Sequence, residues 1–180
     1  MKRGKNIVVF GCDNTGKTTL SEFIVGKIQS EKPELKPIYK KSLGPNKTMN
    51  EQALFMGSMC NLENLVIFDR FPIVEEMTSG IVLRGKNNFS TMSKVQTENY
   101  LKKIDCYIFC YPGLFDVMNW QEREQLNGVK ENALELINQY NKFAFALKEC
   151  GFNVIEYNYN ADSLNSFYIK LKKALGGFLE

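Results

Sequence analysis

The sequence predicts a three-layer α/β fold with a five-stranded parallel sheet between helices. Three observations predict it. Short apolar runs alternate with amphipathic helical stretches along the whole chain. The runs are apolar at nearly every position, as strands covered on both faces must be. A glycine-rich turn joins the first run to the first helix.

Ile7-Val8-Val9-Phe10 is the first strand, and Lys17 to Gln29 the first helix, with Leu20, Phe23, Ile24 and Ile28 on one face. Pro33 and Pro37 bound a loop before a second strand, Ile38 to Lys41. Met49 to Cys60 is helical, with Leu54 and Phe55 toward the core. Leu65 to Phe68 is the third strand and ends at Asp69. Helical stretches over 73–83 and 90–102 are separated by Gly85-Lys86-Asn87-Asn88. Ile104 to Cys110 is the fourth strand. From about Arg123, Val129, Ala133, Leu136, Tyr140, Phe143 and Leu147 recur at helical spacing, and Gly151 stops the helix. Phe152 to Tyr157 is the fifth strand. Asp162 or Ser163 caps a last helix with Leu164, Phe167, Tyr168, Leu171 and Leu175 inward.

The chain has 180 residues, 44% hydrophobic and 24% charged, with a net charge of +3. That suits one globular domain, here 1–180, and excludes a disordered chain. No apolar run reaches the ~18–20 residues of a membrane span, and the run after the basic N-terminus is too short for a signal peptide. The charge is too small and scattered to argue for nucleic acid. There is no histidine, so Ser-His-Asp and Cys-His hydrolysis and His-bearing zinc sites are excluded. Five cysteines without a C-x-x-C pattern suit a reduced, cytoplasmic setting. Cys106 and Cys110 read as small hydrophobes on one face of the fourth strand. Only four of the 23 basic residues are arginine, an asparagine-rich, arginine-poor balance that fits a virus or an AT-rich bacterium.

Gly11-Cys12-Asp13-Asn14-Thr15-Gly16-Lys17-Thr18-Thr19 follows the first strand and matches G-x-x-x-x-G-K-[ST] without a mismatch. The glycines let successive backbone N–H groups turn inward, where they and the helix N-terminus hold phosphates. Lys17 reaches the β- and γ-phosphates, and the Thr18 hydroxyl is placed to ligand Mg²⁺. The pattern indicates ATP and Mg²⁺ as cofactors. There is no N-K-x-D guanine-reading element. At the carboxyl end of the third strand, where open sheets bind ligands, Asp69 is a second candidate for Mg²⁺ and Arg70 can grip an anion.

These residues resemble the thymidylate kinase family of P-loop nucleoside monophosphate kinases, in a viral or phage-type form. The resemblance rests on the phosphate loop with Asp13 inside it, Asp69-Arg70 before an aromatic, Ser79-Gly80 followed by Gly85-Lys86 and Asn88-Phe89-Ser90, and Arg123 opening a lid-to-helix segment. It implies a three-layer P-loop kinase fold with a short lid at about 112–126. It implies that Asp13 contacts the acceptor's 3′-hydroxyl, that Arg70 binds its monophosphate, and that Arg123 comes from the lid to the transferring phosphoryl group. It places the donor adenine near Asn158 to Asp162, with Asn160 as a contact, and suggests a homodimer. The gap between Arg70 and Ser79-Gly80 is longer than the family's pattern.

The second strand ends in Lys40-Lys41 with no carboxylate, which suits an acceptor that already carries phosphate and needs no base. Lys41 is taken as the substrate contact, although only one of the two lysines faces the site. Phe55 is a candidate stacking face, with core packing as its alternative. Ser79 and Thr78 are candidate hydrogen-bond partners for a pyrimidine. The expectation is Mg²⁺-dependent transfer of the ATP γ-phosphoryl group to a deoxynucleoside monophosphate, with dTMP or a related pyrimidine favoured. The alternatives are a deoxynucleoside kinase acting on a 5′-hydroxyl and a non-catalytic nucleotide-binding protein. The partners expected are small-molecule nucleotides, without nucleic acid or membrane.

Overall fold

The computed structural model describes residues 4–41, 49–57, 64–89, 92–111, 113–118 and 128–179. Five strands form one parallel sheet: β1 (Asn6–Phe10), β2 (Ile38–Lys41), β3 (Val66–Asp69), β4 (Cys106–Cys110) and β5 (Val154–Tyr157), in the order β2-β3-β1-β4-β5. Every pairing is parallel. The expected α/β architecture is therefore present. The three central strands are buried along their whole length, which explains why they read as unbroken apolar runs.

Side-chain alternation divides the core into two layers. Val8, Phe10, Phe68, Tyr107 and Phe109 point to the face covered by α7 (Ala133–Glu149), through Leu136, Tyr140, Phe143 and Leu147. Ile7, Val9, Ile67, Ile108 and Cys110 point to the other face, under α1 (Lys17–Glu31) and α8 (Leu164–Ala174). Each large apolar side chain buried here contributes about 1.5–3 kcal/mol relative to exposure. Cys106 and Cys110 are free, buried and on one face, as their spacing predicts, and burial pushes both thiols up to about 12. No helix of the described residues is long and apolar enough to cross a membrane.

Several element boundaries differ from the sequence reading, for local reasons. β4 begins at Cys106; just before it the Asp105 N–H bonds the Asn6 carbonyl and its carboxylate takes the Lys5 ammonium and the Asn6 N–H, both at 2.9 Å. β5 begins at Val154 because the Phe152 N–H is bonded to the Leu147 carbonyl at the end of α7. α7 begins at Ala133, since Gly128 at φ +86 and the Asn132 side chain bonded to the Gly128 carbonyl make a turn of the residues before it. The helix expected over 90–102 is α5 (Lys94–Leu101), begun by a Ser93–Gln96 capping box. Ser163, not Asp162, caps α8. In α2 (Met49–Gly57), Leu54 is 78% exposed rather than core, while Phe55 is buried. The stretch expected as one helix over 73–83 is α3 (Pro72–Glu75), a π turn (Glu76–Gly80) and α4 (Ile81–Arg84). A short helix α6 (Leu114–Met118) follows β4. Most of the expected lid at 112–126 lies outside the described residues.

Candidate active site

The loop after β1 lies at the carboxyl edge of the sheet, where a crevice opens in folds of this topology. Two of its positions require glycine. A Cβ on Gly11 (φ +143) would sit 2.4 Å from the Cys110 carbonyl oxygen, so the loop can start beside β4 only without one. Gly16 (φ +76) is the residue before α1 and keeps the left-handed turn that aims the helix N-terminus inward. Asn14 shares that left-handed region at φ +64. Its amide nitrogen and the Thr15 hydroxyl are buried without a hydrogen-bond partner. Thr19 is exposed on α1, pointing away from the loop's interior.

Lys17 is 4% exposed, and its ammonium donates to the Cys12 carbonyl within the loop. Burial lowers its pKa, as does the neighbouring Arg70, against the pull of Asp13 and Glu75. Thr18 Oγ1 donates to Asp69 Oδ2 at 2.7 Å, and the Tyr39 hydroxyl donates to the same oxygen at 2.9 Å. Asp69 is 2% exposed, and its Oδ1 has no hydrogen-bond partner. A buried carboxylate oxygen left over beside a threonine hydroxyl fits a hard, oxygen-seeking divalent cation, so Thr18 and Asp69 suit Mg²⁺.

Arg70 follows β3 at φ +68, a conformation strained for a residue with a Cβ. Phe71 is extended, as a residue before proline must be, and Pro72 starts α3. This break turns the Arg70 side chain toward the loop, where its guanidinium is ion-paired with Asp13. Burial works against the Arg70 charge, but the carboxylates of Glu75 and Asp13 outweigh it and hold the group above its ordinary pKa.

Beyond this pair is a small pocket lined by Cys12, Asp13, Glu75, Ser79, Leu83 and Tyr140. Tyr140 donates to Glu75 Oε1 at 3.1 Å. Burial raises the Glu75 pKa, with Arg70 and Lys17 opposing, and burial beside Glu75 raises that of Tyr140 well above the usual phenol range. Burial likewise pushes the Cys12 thiol up to about 12. Two cations and two carboxylates thus meet at one point. The Ser79 hydroxyl donates to the Glu75 carbonyl at 3.0 Å, at the rim of this pocket.

Other sequence candidates lie apart. Phe55 packs edge-on against Phe68, ring centres 5.5 Å apart, and is 9% exposed. Its ring belongs to the core cluster on this face of the sheet, with Phe68 and Met56. Lys41 pairs in register with Asp69 and is exposed, whereas Lys40 pairs with Phe68. Strand alternation therefore puts Lys40, not Lys41, on the face that carries the Asp13–Glu75 pocket. The Asn160 side chain donates to Asp116 of α6 at 2.8 Å, while Tyr159 beside it lies over Gly16. That brings the loop after β5 against the end of the phosphate loop. Arg123 lies outside the described residues.

Sequence reasoning missed Glu75, Tyr39 and the role of Tyr140. Glu75-Glu76 inside an apolar stretch was a usable signal, since buried acids need partners. Tyr140 stood in the apolar stripe of α7 and read as packing. Nothing local marks Tyr39, because its partner comes from another strand.

No family model matches the sequence, and no curated protein matches it. Solved structures do. YorR protein of Bacillus subtilis, in complex with phosphorylated GDP, is 14% identical over 93% of each chain, with a TM-score of 0.63. Thymidylate kinase of Candida albicans is 12% identical over 95% of this chain and 90% of its own, at 0.58. Deoxyadenosine kinase of M. mycoides with bound dATP is 16% identical over 93% and 98%, at 0.52. The chain has the fold of P-loop nucleotide kinases.

Proposed function

We propose that this protein transfers the γ-phosphoryl group of ATP to a deoxynucleoside monophosphate in a Mg²⁺-dependent reaction, with dTMP or a related pyrimidine nucleotide the favoured acceptor. The observation that carries this reading is the pairing of Arg70 with Asp13 beside Lys17. It puts a cation for a second anion opposite a loop built for the first. The nucleotides held by the similar structures, phosphorylated GDP and dATP, agree with nucleotide binding.

The backbone N–H groups of Gly11 to Thr18 and the Lys17 ammonium hold the donor's phosphates. Thr18 and Asp69 hold Mg²⁺, which when bound neutralises charge on the donor phosphates. Arg70 exchanges its carboxylate partner for the acceptor phosphate, and Asp13 then accepts from a sugar hydroxyl. The acceptor phosphate is already ionised, so the site's work is alignment and charge neutralisation. Lys40 reaches the acceptor from β2 and Ser79 from the pocket rim, Arg123 comes to the transferring phosphoryl group, and Asn160 lies beside the donor base. A homodimer in the cytoplasm belongs to the same reading.

One observation favours a second reading. Glu75 is a buried carboxyl of raised basicity beside the acceptor pocket, which is what deprotonating a nucleoside 5′-hydroxyl requires. A transfer screen with ATP against natural and modified nucleoside monophosphates and free nucleosides, with and without EDTA, separates the two. The proposal expects diphosphate products, a pyrimidine deoxynucleotide as best acceptor, and complete loss with EDTA. Turnover of nucleosides alone supports the second reading, and nucleotide binding without turnover defeats both.

A further inference from the structure

The stretch between α3 and α4 makes one π turn, Glu76–Gly80, and such single turns are frequent at functional sites. Side chains bond the carbonyls around it. Thr78 Oγ1 donates to the Val74 carbonyl at 2.7 Å, Ser79 Oγ to that of Glu75, and Gln139 of α7 to that of Met77 at 3.1 Å. Where α3 meets this turn, two adjacent glutamates have different partners. Glu75 lines the pocket beside Asp13. Glu76, 4% exposed, gathers three donors: an Arg84 guanidinium nitrogen at 2.7 Å, the Asn88 N–H at 2.9 Å and the Asn88 side-chain amide at 3.3 Å.

Gly80 passes directly beneath. A Cβ there would lie 2.5 Å from the Arg84 guanidinium and 3.0 Å from Glu76 Oε2. Glu76, Gly80, Arg84 and Asn88 thus form one clamp that ties the turn at 85–88 back onto the π turn. Leu83, between them, lines the acceptor pocket with Ser79. A buried carboxylate that loses its partners is left as an uncompensated charge, so the three donors to Glu76 disfavour other arrangements of this turn.

We propose that Glu76 is a positioning residue for the acceptor pocket: by clamping Arg84 and Asn88 it locks the π turn that presents Glu75 and Ser79 to Arg70 and Asp13. The pocket's use rests on the acceptor reading above, whereas the clamp does not.

The test is Glu76→Gln, which keeps the shape and removes the charge that holds Arg84, with Gly80→Ala as an independent route to the same displacement. In the full-length protein without substrate, both variants are expected to speed amide hydrogen exchange over 76–88 by about tenfold, with the phosphate loop unchanged. Both are expected to raise the monophosphate KM by about tenfold while kcat stays within about twofold, because ground-state and transition-state contacts are lost together. The Kd for ATP by calorimetry is expected to be unchanged. Unchanged exchange, an unchanged acceptor KM, or equal weakening of ATP and acceptor would each overturn the proposal. If Glu76→Gln does not fold, Arg84→Gln carries the same measurements. A wild-type protein that accepts no monophosphate defeats the function proposed above and the pocket role with it, while the exchange data still decide the clamp.

Discussion

The guanidinium of Arg70 is ion-paired with the carboxylate of Asp13, across the mouth of the phosphate loop. The two residues are 57 positions apart in sequence. They meet because β3 lies beside β1, with Asp69 in register with Val9.

Arg70→Ala is expected to raise the acceptor KM by about tenfold to a hundredfold, the worth of a charge-assisted contact. ATP affinity, measured by calorimetry, should change little. Arg70→Lys should not restore the acceptor KM, since an ammonium lacks the planar fork that grips a phosphate. Normal acceptor kinetics in Arg70→Ala would remove the acceptor assignment.

Lys17→Met is expected to abolish transfer and to stabilise the fold. The Lys17 pKa is lowered mainly by burial, so the folded state disfavours the charge that the unfolded chain carries freely. A base with a depressed folded pKa weakens the fold below that pKa and is relieved as pH rises through it. Replacing it with an apolar side chain of similar length removes the cost, for a gain of about 1 kcal/mol in unfolding free energy. Denaturant titration beside a transfer assay measures both effects, and a strongly destabilised variant would contradict this account.

Phe55→Ala is expected to lose about 3 kcal/mol of stability, as a truncated core aromatic does. The acceptor KM, measured below the variant's unfolding transition, should stay near that of the wild type. A stacking role would give the reverse pattern, a raised KM with little loss of stability.

Asp162→Asn is expected to weaken the fold at neutral pH but not in acid. The pKa of Asp162 is lowered by its hydrogen bond from Lys170, at 2.5 Å, and by the Asn158 N–H. A depressed folded pKa gives stability that is present above the ordinary value of 3.8 and is lost as pH falls through the folded value. For this partly exposed pair the difference is about 0.5 kcal/mol at pH 7. Urea titrations at pH 7 and below pH 3 should show the gap between wild type and variant closing.

The sequence alone determined the features that contiguous residues encode. Unbroken apolar runs set the parallel sheet, because a strand covered on both faces has no polar position to spare. Gly11 to Thr18 declared a tight loop between β1 and α1, because two of its glycines take positive φ within a few residues of backbone. The Asp69-Arg70 step at the end of β3 was legible for a related reason, since strand ends in open sheets face the crevice.

Tertiary structure alone decided which side chains meet. Tyr39 reaches Asp69 from a neighbouring strand, and Tyr140 reaches Glu75 from 65 positions away. Periodicity marks a residue as inward without saying whether core or ligand awaits it, so Phe55 and Tyr140 read alike and came to different ends. The choice between Lys40 and Lys41 turned on one residue of strand register, which sends a side chain to one face or the other. The π turn was hidden for a similar reason. Its carbonyls and carboxylate are bonded by groups as distant as Gln139 of α7, Arg84 and Asn88, which no local pattern reveals.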